Sequence, residues 1–572
     1  MKTRLITLAL MGAALTAQAQ IRLNQVGMTP QQEKTASVEG VVKASQVKIL
    51  NAQTGKQAAK PRVLRVATSP FSSKKRTIVD FSRLTAEGDY VMVSGQHRQP
   101  FSIRKDALNE VSKGALKLFY LIRSGMPIEA KYAGEYSRPE GHPDTHVLIH
   151  GSAASPGRPE GTVISSPKGW YDAGDYNKYV VNSSYAIGLM LCAYEQCHDY
   201  FARLDVNIPE SGNATADLLD EMMYNLEWLL TMQDPWDGGV YHKLTTPNFE
   251  GFVLPTDCHQ PRYVVAKSTA ATLDFAAVMA QAARLFQGNA DYPDFSAQAS
   301  RAALAAYHWA EQNPEVWYRQ NEMNKTYQPA VNTGEYGDRS VADEWFWAAT
   351  ELYLLTADAK FQQDAERRQP QAFSVSSWAS VSALGCYEWL TQCADAPLAQ
   401  TLRPMLIAYC DDLLSTISTS SFQTPSGNRA REFDWGCLGG SFGASGTALL
   451  FAWQLTGDSR YLTAARENAD YLLGRNALGY CYVTGFGTQS PMHPHHRISA
   501  ADSVEAPFPG MLVGGPNPGQ QDKGNNLTYL SNLPDESYLD HVDSYASNEI
   551  AINWNAELVS LVGWLDAISA NQ

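Results

Sequence analysis

The periodicity of apolar residues changes once along this chain, at about Lys105, and that change limits the folds open to it. Over residues 21–104 apolar residues alternate or cluster in short runs: IRLNQVGM, KTASVEG, QVKILNAQTGKQ, RTIVDFS, GDYVMVSG and QPFSIR, separated by turn formers. A period of two turns one face of a strand inward, so residues 20–104 are expected to form a small β-sandwich. From residue 105 onward apolar residues recur every three or four positions, as in LNEVSKGALKLFYLIRSG, TADLLDEMMYNLEWLLTMQ, STAATLDFAAVMAQAARLF and ADEWFWAATELYLLT. That spacing gives helices with one apolar stripe, and residues 105–572 are expected to be predominantly α-helical.

Within the helical part, ARLFQGNADYPDFSAQAS, ELYLLTADAKFQQDAE and AWQLTGDSRYLTAARE each run helix, short loop with Asp, aromatic, helix. A single helical hairpin cannot bury its own apolar face, so repeated hairpins imply either an open solenoid or a closed ring. Two long stretches, 138–168 and the Gly/Pro-rich 506–526, suit loops built over one mouth of a ring, where binding residues collect.

The first nineteen residues, MKTRLITLALMGAALTAQA, carry Lys2 and Arg4, a short apolar run and an A-x-A site; they are expected to be a cleaved signal peptide, with the protein secreted or periplasmic. No stretch is long and apolar enough to predict a membrane span. Losing Lys2 and Arg4 takes the formal charge from −14 to about −16, which disfavours nucleic acid and suits a neutral partner. The eight cysteines include no CxxC; pairing of Cys192 with Cys197, or of Cys386 with Cys393, stays open.

Three polar clusters could carry chemistry. In GWYDAGDYNKY at 169–179, Asp172 and Asp175 stand three apart among aromatics. They read either as a turn with Asp side chains capping backbone N–H groups, or as acids beside flat faces on which a sugar ring stacks. YLDHVDSYASNE at 538–549 ends in Glu549, just ahead of a helix whose inward stripe is Trp554, Leu558, Leu561 and Leu565. A carboxyl in a helix's first turn has its pKa lowered by the dipole, so Glu549 could act as an acid only with burial or nearby carboxylates, Asp540 and Asp543 being the candidates. TQSPMHPHHR at 488–497 places His493, His495 and His496 close together, as metal ligands or as hydrogen-bonding partners of a polyol; Pro494 prevents a shared helical face. Gly439-Gly440-Ser441-Phe442-Gly443 fits the esterase pattern G-x-S-x-G but sits among helical repeats, where the motif needs a preceding strand.

Together these clusters resemble glycoside hydrolase family 9, the inverting cellulases, in the form with an N-terminal immunoglobulin-like domain. IRLNQVG is similar to the start of that domain and GWYDAGDYNKYV to the family's DAGD segment. Tyr538, Asp540, Tyr545, Glu549, Ala551, Asn555 and Ala556 meet the C-terminal signature; Val483, Thr484, Gly487, Pro494, His495 and Arg497 meet the middle one, with departures at Cys481 and Gln489. The resemblance implies an immunoglobulin-like β-sandwich followed by an (α/α)6 barrel, so a ring, and cleavage of β-1,4-glucosidic bonds in cellulose, mixed-linkage glucan or xyloglucan with inversion. It implies Asp175 as general base, Asp172 as its partner in holding water, Glu549 as general acid, catalytic roles for Asp540 and His495, and sugar contacts at Arg497, Trp435, Trp554 and Tyr171. Inversion needs carboxyl groups roughly 6.5 to 9.5 Å apart on opposite faces of the sugar, which Asp172 and Asp175 on one turn cannot supply between them.

Catalysis of this kind requires no cofactor. Asp338, Asp343 and Glu344 fall in a segment resembling one associated with structural Ca²⁺, whose hard oxygen ligands they match; an acidic cap on the helix starting near Asp343 is the alternative. The Cys-His pair with which some relatives hold zinc is missing from GHPDTH at 141–146, so no zinc is expected. The expected partner is a β-glucan and the expected state a monomer. Two other readings remain: an exo-acting enzyme releasing glucose, cellobiose or glucosamine from chain ends, and a catalytically silent glycan-binding protein, against which the presence of both Asp175 and Glu549 argues.

Overall fold

The computed structural model describes residues 20–524 and 526–571; the expected signal peptide at 1–19 lies outside the described residues. The N-terminal strands are β1 Ile21–Arg22, β2 Thr35–Glu39, β3 Val47–Asn51, β4 Gln57–Ala59, β5 Arg62–Thr68, β6 Lys75–Asp80, β7 Gly88–Ser94 and β8 His97–Ile103. They form two antiparallel sheets, ordered β1-β2-β6-β5 and β4-β3-β7-β8. Alternate residues face inward: Tyr90 and Met92 of β7 and Phe101 and Ile103 of β8 close a core with Val38, Ile49, Val79 and Phe81. Strand β5 is not among the expected runs. It lies at a sheet edge with Leu64 and Val66 turned to solvent, so its sequence RVLRVAT lacks the contrast between faces that marks a strand.

Among the described residues twelve helices of ten residues or more follow: α1 Asn109–Leu121, α2 Val180–Gln196, α3 Asp217–Thr231, α4 Thr269–Leu285, α5 Phe295–Gln312, α6 Ala342–Thr356, α7 Ala359–Arg368, α8 Ser382–Gln392, α9 Pro397–Thr416, α10 Ala444–Thr456, α11 Ser459–Leu472 and α12 Ile552–Ala570. The even-numbered helices are buried on nearly every face, as α2, α4 and α12 show most fully, and form an inner ring. The odd-numbered ones cover it, α1 and α5 with one buried stripe each. α2 packs on α4, α4 on α6 and α6 on α8. Tyr387 of α8 stacks on Phe451 of α10 at 3.8 Å, Phe451 meets Trp564 of α12 edge-on at 4.9 Å, and α12 returns to α2. The repeated hairpins therefore close into a ring, not a solenoid.

The sandwich docks on this ring through a buried polar joint. Arg475 binds Thr35 Oγ1 at 2.8 Å, Asp470 at 2.8 Å and the Phe422 carbonyl at 2.8 Å, and pairs with Glu467; Asn24 donates to Asp470 at 2.7 Å. All eight cysteines are unpaired, so packing and such joints hold the chain together. Residues 438–443, which contain the G-x-S-x-G match, form a π-helical turn running straight into α10, with no strand before it. The esterase elbow is thereby excluded.

A third sheet, unmarked by any periodicity, lies at the mouth of the ring: β9 Val147–Ile149, β10 Val163–Ile164, β11 Lys178–Tyr179, β12 Lys243–Thr245 and β13 Arg262–Val264, ordered β10-β9-β13-β12-β11. β11 leads directly into α2, which ties this sheet to the inner ring.

Candidate active site

Main-chain pairing brings distant segments together at that mouth. Ala173 bridges Ala551, the Ile552 N–H donates to the Asp172 carbonyl at 2.9 Å, and His495 bridges Glu549. Arg497 holds the Gly174 carbonyl twice, from its backbone N–H at 3.2 Å and from Nη1 at 2.7 Å. All three polar clusters thus meet. The glycine in Asp-Ala-Gly-Asp is required by this approach, because a Cβ at Gly174 would lie 2.3 Å from the His495 carbonyl oxygen and 3.1 Å from Glu549 Oε1.

Asp172, Asp175 and Glu549 line one cleft of about 530 Å³. Asp172 accepts from Asn182 Nδ2 at 2.8 Å and from the Tyr336 hydroxyl at 2.7 Å. Burial first, then Asp175, pushes Asp172 up to about 8 against those two donors. Asp175 accepts on Oδ2 from Asn177 Nδ2 at 2.5 Å and from the Tyr179 hydroxyl at 3.0 Å; among the described residues no donor reaches Oδ1. Asp175 Oδ2 also takes the Asn177 N–H at 3.4 Å, so one turn-capping bond is present, but the shorter bonds to both Asp side chains come from other side chains.

Glu549 departs from the expectation about its helix. The helix starts at Ile552 with Ala551 as its N-cap, and Glu549 lies before it in extended backbone, outside the first turn that would lower its pKa. Its carboxyl is pushed up to about 8, by burial first and then by Asp175 and Asp172, against Arg497 and the Gly174 N–H. Asp540 and Asp543 are not what raises it. Asp540 is occupied in a loop joint, accepting from the Met492 and His493 N–H groups at 2.8 Å and from Asn548 Nδ2 at 3.1 Å, and Asp543 faces solvent.

Trp435, 43 % exposed, and Trp554 line the cleft, joined by Phe249, Tyr179, Tyr336 and Trp378. Tyr171 does not: it is buried, its hydroxyl on His142 Nδ1 at 2.9 Å, because its backbone is bonded inward to Ile122 while its neighbour Asp172 turns to the cleft. Arg497 is also withdrawn, its guanidinium fastened to the carbonyls of Glu250 and Gly174 and flanked by Phe249 and Phe252. His495 donates from Nδ1 to the Val542 carbonyl at 2.7 Å; burial holds its pKa down at about 4, so it is a neutral ring beside Gly174. His493 is exposed and His496 bonds Ser499, so the three histidines do not converge.

The segment read for metal binding divides between two places. Its Tyr336 belongs to the catalytic cleft. Asp338, Asp343 and Glu344 instead gather near Asp274 of α4, a residue the sequence reading passed over. Both Asp274 oxygens, Asp338 Oδ2 and Glu344 Oε2 are buried without hydrogen-bond partners, whereas Asp343 Oδ2 accepts from the Val381 N–H at 2.9 Å. Burial and mutual repulsion raise Asp274, Asp343 and Glu344. Among the described residues, no three His, Cys, Asp or Glu side chains stand where they could hold a metal ion.

Residues 109–562 match the family model described as glycosyl hydrolase family 9, and residues 16–99 the one described as a cellulase N-terminal ig-like domain. The chain is 53% identical over 555 residues to a xyloglucan-specific endo-β-1,4-glucanase of Bacteroides ovatus, covering 96% of this chain and 94% of that protein. It is 33% identical over 570 residues to endoglucanase D of Acetivibrio thermocellus, covering 96% and 81%. A solved structure titled Bacteroides ovatus GH9 superposes with a TM-score of 0.92 at 52% identity, covering 96% of this chain and 99% of that one.

Proposed function

Because this chain belongs to glycosyl hydrolase family 9, we propose that it is an endo-β-1,4-glucanase that cleaves a β-glucan with inversion, using Asp175 and Glu549 as its base and acid. The observation that carries this reading is the cleft in which main-chain bridges set Asp172 and Asp175 opposite a carboxyl held protonated near neutral pH. Asp175 takes a proton from a water steadied with Asp172, the water oxygen attacks the anomeric carbon, and Glu549 gives its proton to the departing oxygen. Burial supplies what a general acid needs, and aromatic walls supply flat surfaces for sugar rings. Asp540 and Arg497 serve by fixing the loops that carry these groups.

Xyloglucan is the preferred polymer in this reading, on the strength of the named activity of the Bacteroides ovatus relative. The leader at 1–19 supports export, which suits a polymer met outside the cytoplasm, and no described helix is long and apolar enough to cross a membrane. The unpartnered oxygens of Asp274, Asp338 and Glu344, with Asp343, are of the hard kind that Ca²⁺ takes, though no three of these side chains stand where they could hold the ion as placed; a bound cation would neutralise their repulsion and brace α4 against α6. The test of function is hydrolysis of xyloglucan, mixed-linkage glucan and carboxymethylcellulose with product sizing, and NMR of the first-formed anomer. Internal cuts and an α-anomer are expected; chain-end products alone, or a β-anomer, would refute the assignment.

A further inference from the structure

Beneath the Asp172–Asp175 pair lies a buried cation that no step above uses. Lys243 of β12 is fully buried, and its Nζ donates to Gln320 Oε1 at 2.7 Å, Thr333 Oγ1 at 2.9 Å and the Gly334 carbonyl at 2.6 Å. All three acceptors are neutral. Gln320 Oε1 and the Gly334 carbonyl can only accept, whereas the Thr333 hydroxyl can also donate to a neutral amine; burial lowers Lys243 to about 7, so its charge is present on the acid side of neutral. The preceding residue, His242, bonds the next carbonyl along, that of Glu335, through Nε2 at 2.9 Å, with its Nδ1 on Ser268 Oγ. Two adjacent side chains therefore grip consecutive peptides of one strap, residues 333–336.

That strap touches both aspartates. The Gly334 N–H donates to the Tyr179 oxygen at 3.1 Å, and the Tyr179 hydroxyl donates to Asp175. Two residues on, the Tyr336 hydroxyl donates to Asp172. The ammonium also sits 5.4 Å from the Tyr179 ring centroid; burial lowers its pKa, and the charges of Asp175 and Glu335 act against that lowering. We propose that Lys243, with His242, is a positioning residue of the hydrolytic centre: the clamp sets the strap that orients both aspartates, and its charge favours the anionic base. This rests on the reading of Asp175 as the base.

The geometry gives each half of the clamp a separate consequence. Losing the His242 bond loosens Tyr336 but leaves the charge. Losing Lys243 removes both, and a carboxylate that loses a nearby cation ionises at higher pH, so the acid limb of the rate profile moves up. The groups that face Lys243 from every side, Asp175, Glu335, Tyr179, Tyr318 and His242, contain no second cation to replace it.

The test compares kcat, KM and pH–rate profiles of Lys243→Met, His242→Gln and Asp175→Asn on one soluble glucan, with melting curves to establish folding. For Lys243→Met the expected result is a fall in kcat of roughly ten- to a hundredfold with KM within about twofold, and an acid limb raised by about one pH unit. His242→Gln should lower kcat without moving that limb. An unchanged acid limb and kcat in folded Lys243→Met, beside an inactive Asp175→Asn, would overturn the clamp and leave the base assignment standing. An active Asp175→Asn would instead overturn the base assignment. If Lys243→Met does not fold, Thr333→Val removes one of the ammonium's acceptors, and a kcat equal to wild type there overturns the proposal.

Discussion

Gly174→Ala tests whether the contact between the catalytic loops is as tight as the structure has it. The added Cβ would stand 2.3 Å from the His495 carbonyl oxygen and 2.8 Å from His495 Cδ2. Non-bonded heavy atoms rest at about 3.5 Å, so one loop must retreat by about 1 Å. Neither side can yield alone: residue 174 is held by Arg497, and residue 495 by the Asn548 carbonyl and its bridge to Glu549. The displacement therefore falls between Glu549 and Asp175, the proposed acid and base. A misplacement of about 1 Å at reacting groups costs roughly a hundredfold in rate, or about 2.7 kcal/mol of transition-state stabilisation. Overpacking adds a stability loss of about 1–3 kcal/mol. Steady-state kinetics on a soluble β-glucan, paired with thermal melts, should show kcat down by about two orders of magnitude in a protein that still folds. A folded Gly174→Ala enzyme within about twofold of wild-type kcat would refute the reasoning.

Other perturbations have equally definite outcomes. Tyr336→Phe removes a hydrogen bond to Asp172 without altering shape; at about 0.5–1.5 kcal/mol for a bond to a carboxyl left protonated near neutral pH, kcat should fall by about two- to tenfold, measured by the same kinetics. Glu549, pushed up to about 8, must be protonated to act, so kcat/KM should decline above about pH 8. The raised folded-state values of Asp172 and Glu549 also mean that the stability these two groups contribute is fully present below the unfolded carboxyl range and is lost as pH rises toward about 8, which comparing melts of wild type and Glu549→Gln across pH would reveal. Chelation with EGTA should lower the melting temperature, and Asp274→Asn should abolish that dependence; a melt indifferent to Ca²⁺ in the wild type would rule out the cation.

Much of this organisation is legible in the sequence because it rests on periodicity. The switch from period two to period 3.6 near Lys105 marks where strands give way to helices. What the pattern hides is what lacks contrast. Strand β5 shows apolar residues to solvent, the mouth sheet is built of strands two or three residues long, and α2 is buried on nearly every side. The site divides in the same way. Asp172, Asp175 and Glu549 sit in recognisable clusters, whereas Tyr336 and Lys243 act through contacts across 164 and 91 residues of chain, which no local pattern records. Asp274 did leave a mark, as the one acid in the run TAATLDFAAVMAQAARL, since an ionisable group in a buried helix needs a partner. Tyr171 misled because its neighbours line the cleft while its own side chain turns inward.

The central claim is that Glu549 gives the proton to the leaving oxygen, and its most direct test is the dependence of Glu549→Gln on the leaving group. Turnover should be compared between an unactivated glucan and an aryl cello-oligoside whose phenol departs without protonation. The expected result is loss of glucan cleavage by several orders of magnitude with most of the aryl glycoside activity retained. Equal loss on both substrates, or glucan cleavage near the wild-type rate, would contradict it.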